Sequence, residues 1–546
     1  MSPIFVGSDS SNSRIRSDRI GFAASTTNPG SAAEGDGYYN STDDQLKVYD
    51  GSAWNAIQGS GTFEATVTGT LANGQSVIIN TDGTISGVST SAVAESKGSI
   101  VQYEPGGSGV QYPSGVSIGN GKVVFAYSDF GNSRHGTVVV GTISGSTITF
   151  GTPAVFESNQ CDWIGVTYDS NSDRICIAHA RTSGGYTRYG RATVASVSGT
   201  SFTFGSSVQF HGGSTDYIQA KFDSVSNKVI VSFRDSTAQD GKVAIGDITA
   251  ATNAITFGSD TTFNGSNNCL TVASAFDVKK NRVLVAFRNT ADSNRSYAVV
   301  GQISGTSISF GTPQKFTNNV MGECQVVYNP DANSAAGSSL IVYQDGSDND
   351  RGRCLGAQID PSNNSISFGQ ILPFHDAQTS SIGATYDPNA KRYIVSYKDN
   401  ADSNKLKVDI GYEQSPGYNN GYFRDYIGTG NAFEITTTSI SNSFPVYNAQ
   451  DKNIALGIDD DGVVYTPPSV GTDLTAENFI GFSDAAYSNA QTGRVQIVSS
   501  VDDAQTGLTT GQKYYVQNNG SLATSAGDPS VFAGTAISAT KIQVKM

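Results

Sequence analysis

The chain has 546 residues, with 34 basic and 48 acidic side chains, so its formal net charge is −14. Charged residues make up only 15% of it, aromatic residues make up 10%, and glycine is frequent, with 61 residues. This composition argues against extended disorder and long helices, excludes a basic surface for nucleic acid, and predicts an all-β protein.

Three further observations narrow the class of protein. No apolar run reaches the length of a membrane span, and the N-terminus turns polar too early for a signal peptide, so we expect no membrane insertion. Five scattered cysteines lack the paired spacing of a zinc site, which favours buried thiols in a chain made in a reducing cytosol. With only four histidines as well, we expect no metal site, no cofactor and no histidine-based catalysis.

Residues 1–60 begin with a polar arm over 1–34 and continue with a predicted β-hairpin. The hairpin carries GYYN at 37–40 and LKVYDGSAW at 46–54. This order of aromatic residues resembles an element near the start of bacteriophage tail-fibre and other virion appendage proteins. The resemblance implies a virion-attachment module, with other virion proteins as partners of the arm. Residues 61–96 are predicted to be a β linker.

Internal repeats dominate residues 97–415. A Phe-Gly dipeptide, an aromatic residue followed by Asp or Asn, and a short apolar strand each recur at intervals of about 54 residues. The first two markers stand at Phe150, Phe204, Phe257, Phe310 and Phe368, and at Tyr168, Phe222, Phe276, Tyr328 and Tyr386. A small residue also recurs in the third strand of each unit, which we interpret as a close approach of neighbouring sheets. Each unit reads as four short antiparallel strands, the size of a β-propeller blade.

The two ends of the repeat array indicate how it closes. The sixth unit has no Phe-Gly strand after it, and residues 101–103 match the end of a fourth strand that precedes the first unit. We therefore predict a six-bladed β-propeller over residues 97–415, in which residues 101–103 supply the outer strand of the blade containing Tyr397. An open array of sandwich-like units is the structural alternative.

The C-terminal regions are predicted to be smaller β structures. Residues 416–470 form a β linker, and the turn at 459–462 is a polar hairpin turn rather than a calcium loop, since it lacks alternating ligands and a distal Glu. Residues 471–546 form a small β module. Its segments GLTTGQKYYV at 507–516 and FAGTAISATK at 532–541 resemble terminal modules of phage tail fibres and other surface appendages.

Two aromatic–carboxylate pairs stand at equivalent positions of successive units, Asp162-Trp163 and Asp216-Tyr217, and His211 lies in an adjoining loop. An aromatic ring beside a carboxylate suits a sugar, which stacks on the ring and donates hydroxyl hydrogen bonds to the acid. We select these five as candidate ligand-binding residues. The alternative is that Trp163 and Tyr217 are packing anchors between blades. Five mixed-sign loops, at 129–135, 235–242, 289–295, 345–353 and 399–405, are predicted to be solvated hairpin tips rather than ion or glycan sites.

An enzymatic function is an alternative because six-bladed propellers include sialidases, which need an arginine cluster that binds the substrate carboxylate. Arg234 and Arg288 occupy equivalent positions, with Arg181 and Lys398 nearby, but the Ser-x-Asp-x-Gly-x-x-Trp box is absent from every unit. We therefore expect no enzyme, and no catalytic residue is selected.

The combined expectation is a non-enzymatic phage virion protein, a tail fibre or surface appendage, made in the host cytoplasm. Its propeller presents loops to the host surface, with a glycan as the expected ligand and a homo-oligomer, a trimer, as the expected assembly. Two alternatives stay open: a head-decoration or neck/tail-wall protein with the propeller as spacer, and a glycan-degrading tailspike.

Overall fold

The structure is a computed structural model that describes residues 24–33, 36–42, 45–49, 51–56, 61–106, 109–182, 188–265, 268–332, 338–414, 418–423, 431–527 and 529–545. The predicted arm lies largely outside these residues. The chain divides into two compact units, residues 1–93 with 470–546 and residues 94–469. None of the helices in the described ranges is long and apolar enough to cross a membrane.

The described residues form β-strands and three short 3-10 turns, Phe130–Asn132, Ala250–Thr252 and Thr290–Asp292, which confirms the all-β prediction. The strands before residue 94 are β1 (Ala24–Ser25), β2 (Gly37–Asn40), β3 (Gln45–Tyr49), β4 (Trp54–Ala56), β5 (Thr62–Thr66), β6 (Ser76–Ile79), β7 (Ile85–Gly87) and β8 (Thr90–Val93). The strands that follow, up to residue 314, are β9 (Ser96–Lys97), β10 (Val101–Gln102), β11 (Val110–Gly119), β12 (Lys122–Asp129), β13 (His135–Ser144), β14 (Thr147–Phe150), β15 (Ala154–Asp169), β16 (Arg174–Thr182), β17 (Arg188–Ser198), β18 (Ser201–Phe204), β19 (Val208–Asp223), β20 (Lys228–Asp235), β21 (Asp240–Thr249), β22 (Ala254–Phe257), β23 (Thr261–Thr262), β24 (Cys269–Asp277), β25 (Arg282–Asn289), β26 (Arg295–Ser304) and β27 (Ser307–Phe310). The remaining strands of the second unit are β28 (Gln314–Asn329), β29 (Ser338–Asp345), β30 (Arg351–Asp360), β31 (Ser365–Phe368), β32 (Leu372–Asp387), β33 (Arg392–Asp399), β34 (Lys405–Gln414), β35 (Tyr418–Phe423), β36 (Phe433–Ser439), β37 (Ser443–Asn448), β38 (Asn453–Ile458) and β39 (Asp461–Thr466). The C-terminal strands are β40 (Ser469–Thr472), β41 (Phe479–Ser483), β42 (Thr492–Gln496), β43 (Val501–Asp502), β44 (Lys513–Val516), β45 (Leu522–Ala523), β46 (Val531–Ala536) and β47 (Ile542–Val544).

The unit made from the two chain ends contains three sheets and one further strand pair. β1–β4 form the N-terminal sheet, in which the Tyr38 and Trp54 rings meet edge to face, 4.8 Å apart. β5, β6 and β7 join β41 and β42 in a second sheet, and β43–β47 form a third. The predicted linker over residues 61–96 and the predicted C-terminal module over 471–546 therefore share one sheet, because strands at opposite chain ends pair.

The repeats of the second unit form similar four-stranded antiparallel sheets. We number them by residues: sheet 1 (110–160), sheet 2 (161–214), sheet 3 (215–262), sheet 4 (269–320), sheet 5 (321–378), sheet 6 (379–439) and sheet 7 (443–466 with 96–102). The 16-residue strands β15, β19, β28 and β32 each complete one sheet with their first half and begin the next with their second half.

The repeated sequence markers have specific structural roles. Asp223, buried at the end of β19, accepts hydrogen bonds from the backbone amides of Val225 and Ser226, so it caps the turn into the next strand. Gly246 lies opposite Phe257 in the same sheet, and a Cβ at Gly246 would stand 2.8 Å from that ring. The predicted close approach of neighbouring sheets at this small residue is therefore wrong, because a ring of its own sheet fills the space.

Sheet 7 corrects two predictions. The six-sheet count and the linker at 416–470 are wrong, because β37, β38 and β39 form a seventh sheet within that linker. The borrowed N-terminal strand exists, but Val101 pairs with Gly462 of sheet 7 and not with the sheet containing Tyr397. The physical reason is that this sheet takes its outer strands, β9 and β10, from the start of the chain. It therefore has no Phe-Gly strand of its own to mark it.

The seven sheets follow one another in a cyclic order. Their first strands, β11, β15, β19, β24, β28, β32 and β37, contact one another in sequence, and β37 also contacts β11. A buried apolar cluster lies between each consecutive pair of sheets, including a cluster in which Tyr103, Phe125 and Phe444 join sheets 7 and 1. These first strands are called the inner strands below.

Candidate functional site

A β-bulge recurs near the start of the inner strands and aims side chains at one end of the ring. The backbone at the bulge has positive φ at Tyr112, Trp163, Tyr217, Thr271 and Ser381, with angles between 46° and 51°. The strand pairing shifts by one residue at the bulge in sheets 1 to 6. Such bulges reorient a side chain at a sheet end, so equivalent positions of neighbouring sheets converge here.

Three of these positions carry aromatic residues that stack across the sheets. The Trp163 ring lies 4.7 Å from Tyr112 and 4.5 Å from Tyr217, with interplanar angles of 40° and 37°. Trp163 also packs against the apolar layer between sheets 2 and 3, and Tyr217 against the next layer. A tyrosine ring from each neighbouring sheet therefore contacts the indole. This arrangement matches the packing-anchor alternative, in which Trp163 does not offer a face to a sugar.

Arginines and aspartates form a chain beside the aromatic stack. Arg134 contacts Asp162 at 2.5 Å, Arg188 contacts Asp216 at 2.7 Å and Asp162 at 3.9 Å, and Arg234 contacts Asp216 at 3.3 Å. Three guanidinium groups and two carboxylates leave one net positive charge. Arg188 links sheets 2 and 3 and is the most open of the three, with 38% of its side chain exposed. We call these five residues, together with Tyr112, Trp163 and Tyr217, the rim cluster.

Burial sets the protonation behaviour of the rim cluster. Desolvation raises the pKa of Asp162 above its ordinary value, although Arg134 and Arg188 oppose the rise. Burial, and then the charge of Asp162, also raises the pKa of Tyr112. The arginines thus hold otherwise costly buried carboxylates in place, and the carboxylates fix the guanidinium groups as directed hydrogen-bond donors.

His211 belongs to a different polar cluster. Its ring contacts Asp260 at 2.7 Å and Asp235 at 3.2 Å, and Lys242 contacts the same two carboxylates. A hydrogen bond from His211 lowers the pKa of Asp260. His375 of sheet 5 repeats the arrangement with Asp399 of sheet 6, which Lys407 also contacts. A repeated, largely buried ion-pair cluster indicates a structural role, so His211 is not brought to the rim cluster with the other candidate residues.

On the rim of sheets 4 to 6, polar and charged residues replace the aromatic stack. The side-chain position of Arg234 in sheet 3 is taken by Arg288 in sheet 4 and by Lys398 in sheet 6. Arg288 donates to the Met321 carbonyl at 3.2 Å, and its Nε is buried without a hydrogen-bond partner. Glu323 accepts a hydrogen bond from the Ile382 amide at 2.9 Å, and burial raises its pKa.

Sequence reasoning missed three members of the rim cluster. Tyr112 stands in the first unit, where no Asp precedes it, so the aromatic–carboxylate pattern did not include it. Arg134 and Arg188 reach their carboxylates from other segments of the chain. They stand 54 residues apart, as Asp162 and Asp216 do, so the repeat spacing marks them, but the aromatic–carboxylate pattern does not include them. Arg234 could be found from its repeat position, although the carboxylate it contacts could not.

In each mixed-sign loop, the first residue forms hydrogen bonds within the loop itself. Asp129, Asp235, Asn289, Asp345 and Asp399 each accept hydrogen bonds from backbone amides two or three residues further on. The turn at 459–462 is a hairpin turn between β38 and β39, as predicted. Within the described ranges there is no group of three or more metal-ligating side chains. All five cysteines are buried.

Comparisons with known proteins were made on the sequence and on the structure. No family model and no curated protein matches the chain. A crystal structure of a protein of unknown function from Dyadobacter fermentans is similar, with 13% identity and a TM-score of 0.41, over 68% of this chain and 98% of that chain. A mutant of the NanB sialidase from Streptococcus pneumoniae is similar over 54% of this chain and 66% of that chain, with 9% identity and a TM-score of 0.38. Both scores are too low to carry a functional argument.

Proposed function

We propose that residues 94–469 form a seven-bladed β-propeller closed by a strand from before the first blade. The cyclic order of inner-strand contacts supports this proposal, as do the seven apolar layers between consecutive sheets. Closure through β9 and β10 leaves the outer edge of sheet 7 paired, which protects it from association with other chains.

We propose that the protein is a structural component of a phage virion, a tail fibre or related appendage, and that it acts without catalysis. The N-terminal and C-terminal sequence elements that resemble phage appendage proteins support this assignment. Within the described part of the N-terminal element, Trp54 donates a hydrogen bond to the Pro29 carbonyl and packs on Tyr38 and Tyr49. The element is thus an ordered module that can serve as an attachment surface. A homotrimer remains our expectation for its assembly.

We propose that the rim cluster binds a host-surface glycan. The observation that carries the proposal is the chain from Arg134 through Asp162, Arg188 and Asp216 to Arg234, beside the aromatic stack. Fixed guanidinium groups donate directed hydrogen bonds to sugar hydroxyl or carboxylate oxygens, and immobilised donors lose little entropy on binding. Because Trp163 is engaged by a tyrosine ring on each side of it in the stack, the sugar contacts the arginines and the two tyrosines.

The test is binding of the purified full-length chain to a microarray of bacterial capsular and lipopolysaccharide fragments. We expect saturable binding to a subset of fragments, which R188A weakens about tenfold through loss of a charged hydrogen-bond donor. Arg494→Ala is the matched control, because Arg494 pairs with Asp484 in the other unit and is 44% exposed. Equal binding by R188A and wild type, or binding to no fragment, would contradict the proposal. Release of reducing sugar from a bound fragment would favour the tailspike alternative.

A further inference from the structure

A cavity lies on the axis of the second unit, where the inner strands converge. It has a volume of about 180 Å³ and is lined by residues of β11, β15, β19, β28, β32 and β37. A second cavity of about 430 Å³ lies towards the turns that follow the inner strands, and Lys221 lines both. Since a water molecule occupies about 30 Å³, the first cavity has room for several waters or a small ion with its contacts.

Among the described residues, Lys221 is the only charged side chain that lines either cavity. No described residue forms a hydrogen bond or an ion pair with its ammonium group. Burial lowers the pKa of Lys221 to about 8, so the group is still mostly protonated at neutral pH. Desolvating a positive charge in a confined space costs free energy when no carboxylate is near. A bound anion offsets this free energy more fully than water does.

Two amide side chains line the same cavity. Gln219 and Gln325 occupy equivalent positions of β19 and β28, and neither side chain has a hydrogen-bond partner among the described residues. Ser114, also in the lining, accepts a hydrogen bond from the Val166 amide, which leaves its hydroxyl hydrogen to donate. An ammonium, two amides and a hydroxyl provide several donors around one space, and a multi-oxygen anion can accept from all of them.

We propose that the axial cavity is a binding site for a small oxyanion of the sulfate or phosphate class, with Lys221 as its counter-charge and Gln219 and Gln325 as neutral donors. None of the rim-cluster residues is among the residues that line this cavity, and the proposal does not depend on glycan binding. No carboxylate is among the described residues that line this cavity, so the charge of Lys221 favours an anion over a cation.

Equilibrium dialysis of radiolabelled sulfate against the full-length chain tests the proposal. We expect saturable binding of one sulfate per chain, weakened at least about tenfold by K221M, which keeps side-chain length and removes the charge. Lys228→Met is the control, because Lys228 pairs with Asp247 outside the cavity. No saturable binding, or equal binding by K221M and K228M, would overturn the proposal.

A second variant keeps the test decisive if K221M fails to fold by circular dichroism. Gln325→Leu removes a neutral donor and retains the charge, so sulfate binding should fall about three- to tenfold. Unchanged binding in Q325L would show that sulfate does not occupy this cavity. Displacement of sulfate by unlabelled phosphate is expected, and failure of phosphate to compete would contradict the stated anion class.

Discussion

Replacing Trp163 with alanine removes the central ring of the rim stack. Aromatic-to-alanine substitutions in cores cost about 3–5 kcal/mol, and Trp163 is only half-buried, so we expect a loss of about 3 kcal/mol in the free energy of unfolding. About 1–3 kcal/mol of that loss comes from the two ring contacts, with Tyr112 at 4.7 Å and Tyr217 at 4.5 Å. Urea unfolding followed by far-UV circular dichroism measures the loss.

The matched controls separate packing from other effects of this substitution. Tyr412→Ala removes an aromatic residue that is 41% exposed, and it should cost less than about 1 kcal/mol. Trp54 is then the only tryptophan in W163A, and its fluorescence should report an unchanged transition of the other unit. A double-mutant cycle between W163A and Y217A should give a coupling energy of about 0.5–1.5 kcal/mol. A coupling energy near zero, or a loss no larger than that of Y412A, would refute the stacked arrangement.

Three further predictions concern the ring itself. Tyr103→Ala should lower the free energy of unfolding by about 3–5 kcal/mol in urea titrations, because Tyr103 is only 2% exposed between sheets 7 and 1. A loss below about 1 kcal/mol would contradict this placement of Tyr103. Burial opposes ionisation of Glu157, but hydrogen bonds from His179 and Asn159 outweigh it and lower the Glu157 pKa to about 2. The stabilisation from ionised Glu157 is therefore complete above its unfolded-state pKa of about 4.5 and disappears as pH falls towards 2. E157Q should thus lose about 2 kcal/mol at pH 7 but little at pH 2, and a pH-independent difference would refute the linkage. Gly205→Ala should lower the free energy of unfolding by at least about 2 kcal/mol in the same assay, because the added Cβ would lie 1.8 Å from the backbone oxygen of Asn253. An unchanged free energy of unfolding would contradict that contact.

The repeated sheets could be predicted from sequence because each marker has a local physical cause. Asp223 must follow the inner strand to accept the turn amides, and Gly246 must be small because Phe257 lies opposite it. Such requirements recur in most units at nearly constant spacing, so they form a pattern along the chain. The strand assignments within the repeats therefore follow from the sequence.

The seventh sheet could not be found in the same way. Its inner strand ends in Tyr447-Asn448, which fits the aromatic–Asn marker, but 61 residues separate Tyr447 from Tyr386. Its outer strand comes from residues 96–102, and pairing between distant segments leaves no periodic signal. The match of residues 101–103 to the end of a fourth strand predicts an outer strand, which the structure confirms, but the markers alone point to the wrong partner sheet.

The candidate site was partly predictable. Equal spacing placed Asp162 with Asp216 and Trp163 with Tyr217, and the structure brings all four together. The bulge that turns the two rings towards each other depends on backbone register, which the residue types do not indicate. For that reason the direct contact between the Trp163 and Tyr217 rings does not follow from the residue types, and neither does the pairing of each arginine with its aspartate.

Closure of the ring by the N-terminal strand is tested most directly by an engineered disulfide between Gln102→Cys and Asp461→Cys. The two residues are Cα partners of antiparallel strands, whose Cα separation of about 4.5–5.5 Å suits a disulfide. The native cysteines are buried and should not compete. In the Q102C/D461C variant we predict rapid formation of this disulfide under mild oxidation, detected as one linked peptide by mass spectrometry. In a second variant, Q102C/K407C, residue 407 lies in sheet 6, and we predict that no disulfide forms. A bond to residue 407 instead of residue 461 would contradict the seven-sheet ring.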